Sequence, residues 1–376
     1  MNRLRKLSKY GQSYWMDDLS RDILKNGSLE KQIRDRDLRG ITSNPAIFGQ
    51  AIGGSAAYDG QIAEGARRGR TSAQIYEDLT CQDIRDACDI LMPVYQQTDG
   101  ADGFVSLEVS PMLARDTEGS IAEGVHLAKL VNRPNLMIKI PGTAEGVPAV
   151  EDLLFRGINV NVTLLFSVEA YQAVADAYCR ALERRKAAGQ PLEKIASVAS
   201  FFVSRIDTLV DQLLQHRMRA DGSSAFSPLP DTLKGKVAIA NAKVAYAAFR
   251  RLASSERWHA LAAAGARPQR LLWASTGTKN AAYSDVMYVE PLIGAYTVNT
   301  MPGPTAAAFD DHGKPGKSLT RGVPDARKVL KDLKAVGIDL KRVTWQLENE
   351  GIQKFIEPFE KLLANIEAKR RSLAGQ

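Results

Sequence analysis

Residues 136–141, Leu136-Met-Ile-Lys-Ile-Pro141, set one lysine in the middle of an otherwise apolar run of strand length, and Gly142-Thr143 follow as a turn. Side chains alternate faces along a strand, so Ile138 and Ile140 are expected to pack outward and Lys139 to point the other way. Seven further runs of the same kind, bounded by turn residues, lie at 13–18, 38–43, 103–109, 158–163, 195–203, 270–275 and 295–301. Between them stand segments with apolar residues at helical spacing, such as 72–97, 167–189 and 236–255. Ser167 is placed to cap the second of these and Gly189 to stop it, while Thr143 is expected to open the next helix and Gly157 to close it. Eight strands alternating with helices, with no linker between them, predict one closed (β/α)8 TIM barrel over residues 1–376. The stretches after strands two and six run to about 60 residues each and must hold extra helices, and the tail from about residue 320 reads as final helices with no chemistry of its own.

Composition narrows the class. Hydrophobic residues make up 44% and charged residues 25%, values that point away from disorder and from fibrous repeats. No apolar run approaches the roughly 18 residues of a membrane helix. The N-terminus MNRLRKLSKYGQ lacks the apolar core of a signal peptide, so no membrane association and a cytoplasmic location are expected. Cys81, Cys88 and Cys179 form no CxxC pair and are expected to be packing residues rather than metal ligands or disulfide partners. The net charge of +7 favours anionic partners, but its local clusters lack the aromatic residues of a nucleic-acid-binding module. Dinucleotide and P-loop fingerprints are missing from the sequence.

In a barrel of this kind the chemistry lies where the strands end. Asp17 ends the first strand, Thr42, Ser43 and Asn44 the second, Glu108 the third, Lys139 the fourth, Asn161 and Thr163 the fifth, Ser200 the sixth and Ser275 the seventh. Asp18 should face away from Asp17 and is ranked below it. An ammonium on the inner face is costly, and such a lysine is either paired in a structural ion pair with Glu108 or Asp17, or kept neutral as a nucleophile that forms a Schiff base with a ketone. That chemistry also needs a general acid and base, for which Glu108 and Asp17 are candidates. Asn44, Asn161 and Thr163 suit either sugar-hydroxyl recognition or strand-end capping. Arg205 and Lys279, in the loops beyond strands six and seven, are the plausible cations for a phosphate, or else partners of helix carboxylates.

The stretches WMDDLSR, GITSNPAIF, VSLEVSP, LMIKIPGTAEG, INVNVTLLFS, SFFVSRID and YVEPLIGAYTVNTMP, in order from residue 13 to 302, resemble the transaldolase family. The resemblance implies transfer of a dihydroxyacetone unit from sedoheptulose 7-phosphate to glyceraldehyde 3-phosphate, with no metal or cofactor. It implies Lys139 as the Schiff-base lysine, Glu108 as the glutamate acting through a water, and Asp17 as the group taking the hydroxyl proton. Asn44 and Asn161 match the family's dihydroxyacetone-binding asparagines and Thr163 the threonine that holds the catalytic water. Ser200, Arg205, Ser275 and Lys279 match positions that meet hydroxyls and phosphate. Phosphorylated sugars are the expected partners, with neither nucleic acid nor membrane; a homo-oligomer is left open.

Two departures stand out. Many members read Ser-Phe-Arg-Asn where this chain has Ser275-Thr-Gly-Thr-Lys279-Asn280, so the second cation is a lysine on a longer loop. Many also carry proline where Phe201 stands. The chain is most similar to the longer bacterial branch. A fructose 6-phosphate aldolase, which releases free dihydroxyacetone, is the nearest alternative, but those relatives carry tyrosine at the position of Phe202, and phenylalanine has no hydroxyl with which to activate water. A non-catalytic basic barrel that binds phosphorylated ligands or RNA would leave Lys139 and its two carboxylates without a role.

Overall fold

The computed structural model describes residues 2–220 and 229–374. Eight strands, β1 (Gln12–Met16), β2 (Leu38–Thr42), β3 (Phe104–Glu108), β4 (Leu136–Pro141), β5 (Val160–Leu165), β6 (Ser197–Phe202), β7 (Arg270–Ala274) and β8 (Thr297–Met301), close in sequence order into a barrel. Every neighbouring pair is parallel, including β8 with β1. The expected (β/α)8 barrel is the observed one.

The boundaries shift for local reasons. β1 stops at Met16, although the Asp17 amide still reaches the Met301 carbonyl at 3.0 Å. β5 runs two residues later than expected, because the Asn159 side chain bridges its neighbours, donating to the Leu136 carbonyl and accepting from the Ala196 amide. At its far end the register with β6 slips between Val162 and Leu165, and Leu164 sits at φ +62°, so the end of this strand is bent rather than extended.

Among the described residues both long insertions hold extra helices. Pro45–Gly54, Asp59–Arg67 and Ser72–Gln97 follow β2, and Ser204–Ala220, Leu229–Leu233, Val237–Ala253 and Glu256–Ala262 follow β6. The caps are chemical: Ser167 accepts from the Ala170 amide to begin Val168–Ala187, and Thr71 and Gln74 form a reciprocal capping box. Thr143 accepts from the Gly146 amide, and the helix it introduces, Gly146–Phe155, starts two residues later than expected. The strand-then-helix alternation fails after β7, where residues 275–296 form a loop of successive turns with a single 3-10 turn at Glu290–Leu292. Gly303–His312, Val323–Ala335 and the long Leu340–Ala374 complete the chain. Among the described residues no helix is long and apolar enough to cross a membrane. Cys81, Cys88 and Cys179 are buried and unpaired.

Ile138 and Ile140 are fully buried, Ile138 beneath the Thr117–Val131 helix. The barrel interior below Lys139 is filled by side chains. Trp15 lies across it, and Gly40 makes this possible, since a Cβ there would stand 2.5 Å from the indole ring. Asp102 anchors this layer, accepting from Ser13 Oγ at 2.6 Å, Trp15 Nε1 at 3.2 Å and Arg270 Nη1 at 2.9 Å. Beneath Trp15, Phe104, Met137 and Val198, a cavity of about 330 Å³ opens at the N-terminal end of the barrel beside Asp99 and Tyr296.

Candidate active site

The register across β3, β4 and β5 places Glu108 beside Lys139 and Lys139 beside Asn161. All three are buried on the inner side of the barrel. Lys139 Nζ donates to the Ser43 carbonyl at 2.9 Å and lies 3.3 Å from Glu108 Oε2. Asn161 is clasped between Ser106 and Ser200, donating to the first at 3.0 Å and accepting from the second at 2.6 Å. Burial pushes the Glu108 carboxyl above the usual range, with the Lys139 charge pulling the other way. Glu108 Oε1 and Thr163 Oγ1 are buried without a hydrogen-bond partner among the described residues.

Above this layer lies a cavity of about 200 Å³ at the C-terminal edge of the strands. Its wall holds Asp17, Asn44, Lys139, Thr163, Ser200, Arg205, Ser275 and Lys279, which are eight of the ten residues singled out in the sequence. Glu108 and Asn161 stand one layer behind the wall, reaching it through Lys139 and Ser200 respectively. Thr42 donates to Asp17 Oδ1 at 2.6 Å and meets Thr300 at 2.7 Å. Burial raises the Asp17 carboxyl, while the Thr42 hydroxyl and then the charges of Lys139, Arg205 and Lys279 oppose the shift. Asn44 caps the Pro45–Gly54 helix by accepting from the Ile47 amide at 3.1 Å, so the capping role and a place on the cavity wall coexist in one side chain. Asp18 is exposed, as its parity requires.

Arg205 lies in the first turn of Ser204–Ala220, its guanidinium 5.3 Å from the Phe202 ring. Nη1 is buried with no hydrogen-bond partner among the described residues, and burial lowers the pKa of the guanidinium against the pull of Asp17 and Glu350. Lys279 is exposed at the cavity rim and has no hydrogen bond or ion pair among the described residues. Among the described residues neither cation serves a helix carboxylate in an ion pair.

The C-terminal helix corrects the sequence reading. Phe355, from Leu340–Ala374, lines the cavity with its ring 5.7 Å from Lys139 Nζ. Gly351 lets that helix approach, since a Cβ there would lie 2.9 Å from Leu164 Cδ2 and 3.8 Å from Arg205 Nη1. Thr300 was also overlooked, although it stands one residue before the end of β8 and lines the cavity with Thr42.

A buried amine with a carboxyl alongside, a second carboxyl across the cavity and unpaired cations at the rim make a set suited to covalent work on a phosphorylated carbonyl compound. The family described as Transaldolase/Fructose-6-phosphate aldolase matches residues 14–366. This chain belongs to that family. A transaldolase of Trichodesmium erythraeum is 50% identical over 374 residues, covering 99% of this chain and 98% of the relative. Transaldolase 2 of a Nostoc species is 48% identical over 378 residues, with 100% and 99% covered. A transaldolase of Thermobifida fusca is 49% identical over 364 residues, with 96% and 97% covered. The span matched to the transaldolase/fructose-6-phosphate aldolase family includes Phe355 and most of the final helix, so the element that roofs the cavity lies within the family's common extent.

Proposed function

We propose that the protein is a transaldolase, moving a dihydroxyacetone unit from sedoheptulose 7-phosphate to glyceraldehyde 3-phosphate and yielding erythrose 4-phosphate and fructose 6-phosphate, in the pentose phosphate pathway of the cytoplasm. The observation that carries the reading is the buried contact of Lys139 with Glu108 at the floor of a cavity whose rim bears Arg205 and Lys279.

The 3.3 Å contact gives the Lys139 ammonium a route to pass a proton to Glu108, leaving a free amine and a neutral acid. The amine attacks the ketone carbon, and the oxygen of the resulting carbinolamine leaves as water when Glu108 returns its proton. Thr163 Oγ1, like Glu108 Oε1 without a partner among the described residues, suits the holding of a water between them. In the imine the positive nitrogen draws the electrons of the carbon–carbon bond next to the carbinol. Asp17, held by Thr42, takes the carbinol proton as that bond breaks and the aldose phosphate departs. The acceptor aldehyde then adds to the retained enamine, Asp17 gives the proton back, and hydrolysis frees Lys139. Arg205 and Lys279 meet the phosphate, and the amide nitrogen of Asn44 with Ser200 and Ser275 meets hydroxyls. Phe202, which packs against Phe166 at 5.2 Å between ring centres, brings no hydroxyl to activate water, and this favours transfer over release of free dihydroxyacetone.

Borohydride reduction in the presence of fructose 6-phosphate, followed by peptide mapping, is expected to add a dihydroxyacetone-derived mass to the 136–143 segment at Lys139. Lys139→Ala is expected to lose both the adduct and turnover. Full activity in that variant would overturn the assignment.

A further inference from the structure

The loop 275–296 carries Lys279, and the Ser204–Ala220 helix carries Arg205. Two sets of bonds tie these elements together on either side of Lys279. At the near joint the Ser204 amide donates to the Ser275 carbonyl at 3.1 Å, and the two serine hydroxyls meet at 3.0 Å. At the far joint, deeper along the helix, Tyr288 donates to Asp207 Oδ2 at 3.1 Å and Tyr283 to Asp211 Oδ2 at 2.7 Å. The remaining oxygens of those carboxylates accept from backbone amides at the entry to Val237–Ala253, Asp207 from Ala238 at 2.7 Å and Asp211 from Gly235, in the turn before it, at 3.0 Å. Both carboxylates are therefore fixed from a third element and cannot follow the loop if it moves. Between the joints Asn280 closes a tight turn, accepting from the Ala282 amide through Oδ1 and from the Tyr283 amide through its carbonyl. Lys279 is thus four residues from the Tyr283 anchor, on a short span held at both ends.

An ammonium on a four-carbon stem is a mobile point charge without the rigid fork of a guanidinium, so its usefulness toward a phosphate depends on where its backbone is held. Neither tyrosine lines the cavity. We propose that Tyr283 and Tyr288 are positioning residues that hold Lys279 opposite Arg205 and thereby set the preference for phosphorylated over unphosphorylated acceptor aldehydes. This rests on the reading of Arg205 and Lys279 as the phosphate cations. The ring of each tyrosine provides packing and the hydroxyl provides the tie, so Tyr→Phe removes the tie alone.

The test compares glyceraldehyde 3-phosphate with glyceraldehyde as acceptor, at saturating donor, for the wild type, Tyr283→Phe, Tyr288→Phe and the double variant, with Arg205→Ala alongside. In the double variant the ratio of kcat/KM for the two acceptors is expected to fall about tenfold, the size of one hydrogen bond to a charged acceptor. The fall should reside in KM for the phosphorylated acceptor, with turnover of glyceraldehyde unchanged within about twofold. A ratio that falls in Arg205→Ala but not in the double variant overturns the positioning role and leaves the phosphate site standing. A ratio that falls in neither removes the phosphate site and the positioning role together. Equal losses for both acceptors in the tyrosine variants, with a lowered Tm, mark the tyrosines as merely structural and also overturn the proposal.

Discussion

Lys139 was legible because a charge inside an apolar run has one economical explanation once parity is considered, and the chain places Ile138 and Ile140 on the outer side as that parity requires. Its partners followed from strand-end position: Glu108 and Asn161 occupy neighbouring strands in direct register with it. What stayed hidden was depth. Nothing in the order of residues says that Glu108 and Asn161 stand behind the cavity wall while Ser200 and Thr163 stand on it, because that depends on barrel tilt and stagger. Phe355 gave no signal at all, being one apolar residue among many in an amphipathic helix far along the chain. If Glu108 acts by proton transfer and not by holding substrate, Glu108→Gln is expected to lower kcat by about 100- to 10,000-fold with KM changed only a few-fold. Steady-state kinetics decides this, and a loss confined to KM would make Glu108 a binding residue.

Helices and their caps were read well wherever the capping chemistry was local, as at Ser167 and Val168–Ala187. The loop after β7 was read poorly, because what holds it is not local. Its tyrosines reach carboxylates on Ser204–Ala220, 72 and 81 positions away in the chain. Asp207 serves that contact and also the start of Val237–Ala253, and burial pushes its carboxyl up to about 7. An unfolded aspartate titrates at about 3.9. Between those values the native chain keeps a proton that the unfolded chain has released, so this group's contribution to stability declines as pH rises from about 4 to about 7. Asp207→Asn removes that contribution, since an amide does not titrate. Thermal melts of both proteins from pH 4.5 to 7.5 are expected to show a flatter stability profile for the variant relative to the wild type, with the other buried carboxyls common to both. Identical profiles would mean that Asp207 is ionised throughout.

At the scale of the whole molecule, eight similar strands with helical intervals were enough to specify a closed barrel, because each interval reads as a crossover and nothing in the chain reads as a linker. The tail was harder: its helical character was plain, but its docking across the barrel mouth depends on the close approach at Gly351, which no local pattern announces. The opposite end of the barrel has its own consequence. Trp15, seated against Gly40 and tethered to Asp102, separates the upper cavity from the lower one, and the two share no lining residue. Among the described residues, Lys139 is therefore reached from the upper cavity, which Phe355 lines and whose volume of about 200 Å³ leaves little room for a departing product and an acceptor together. On the proposed mechanism the first product is then expected to depart before the second substrate arrives. Initial-rate plots at several fixed acceptor concentrations should accordingly be parallel, with excess acceptor competing against donor for the empty enzyme; intersecting lines would mean that donor and acceptor are held in the site together.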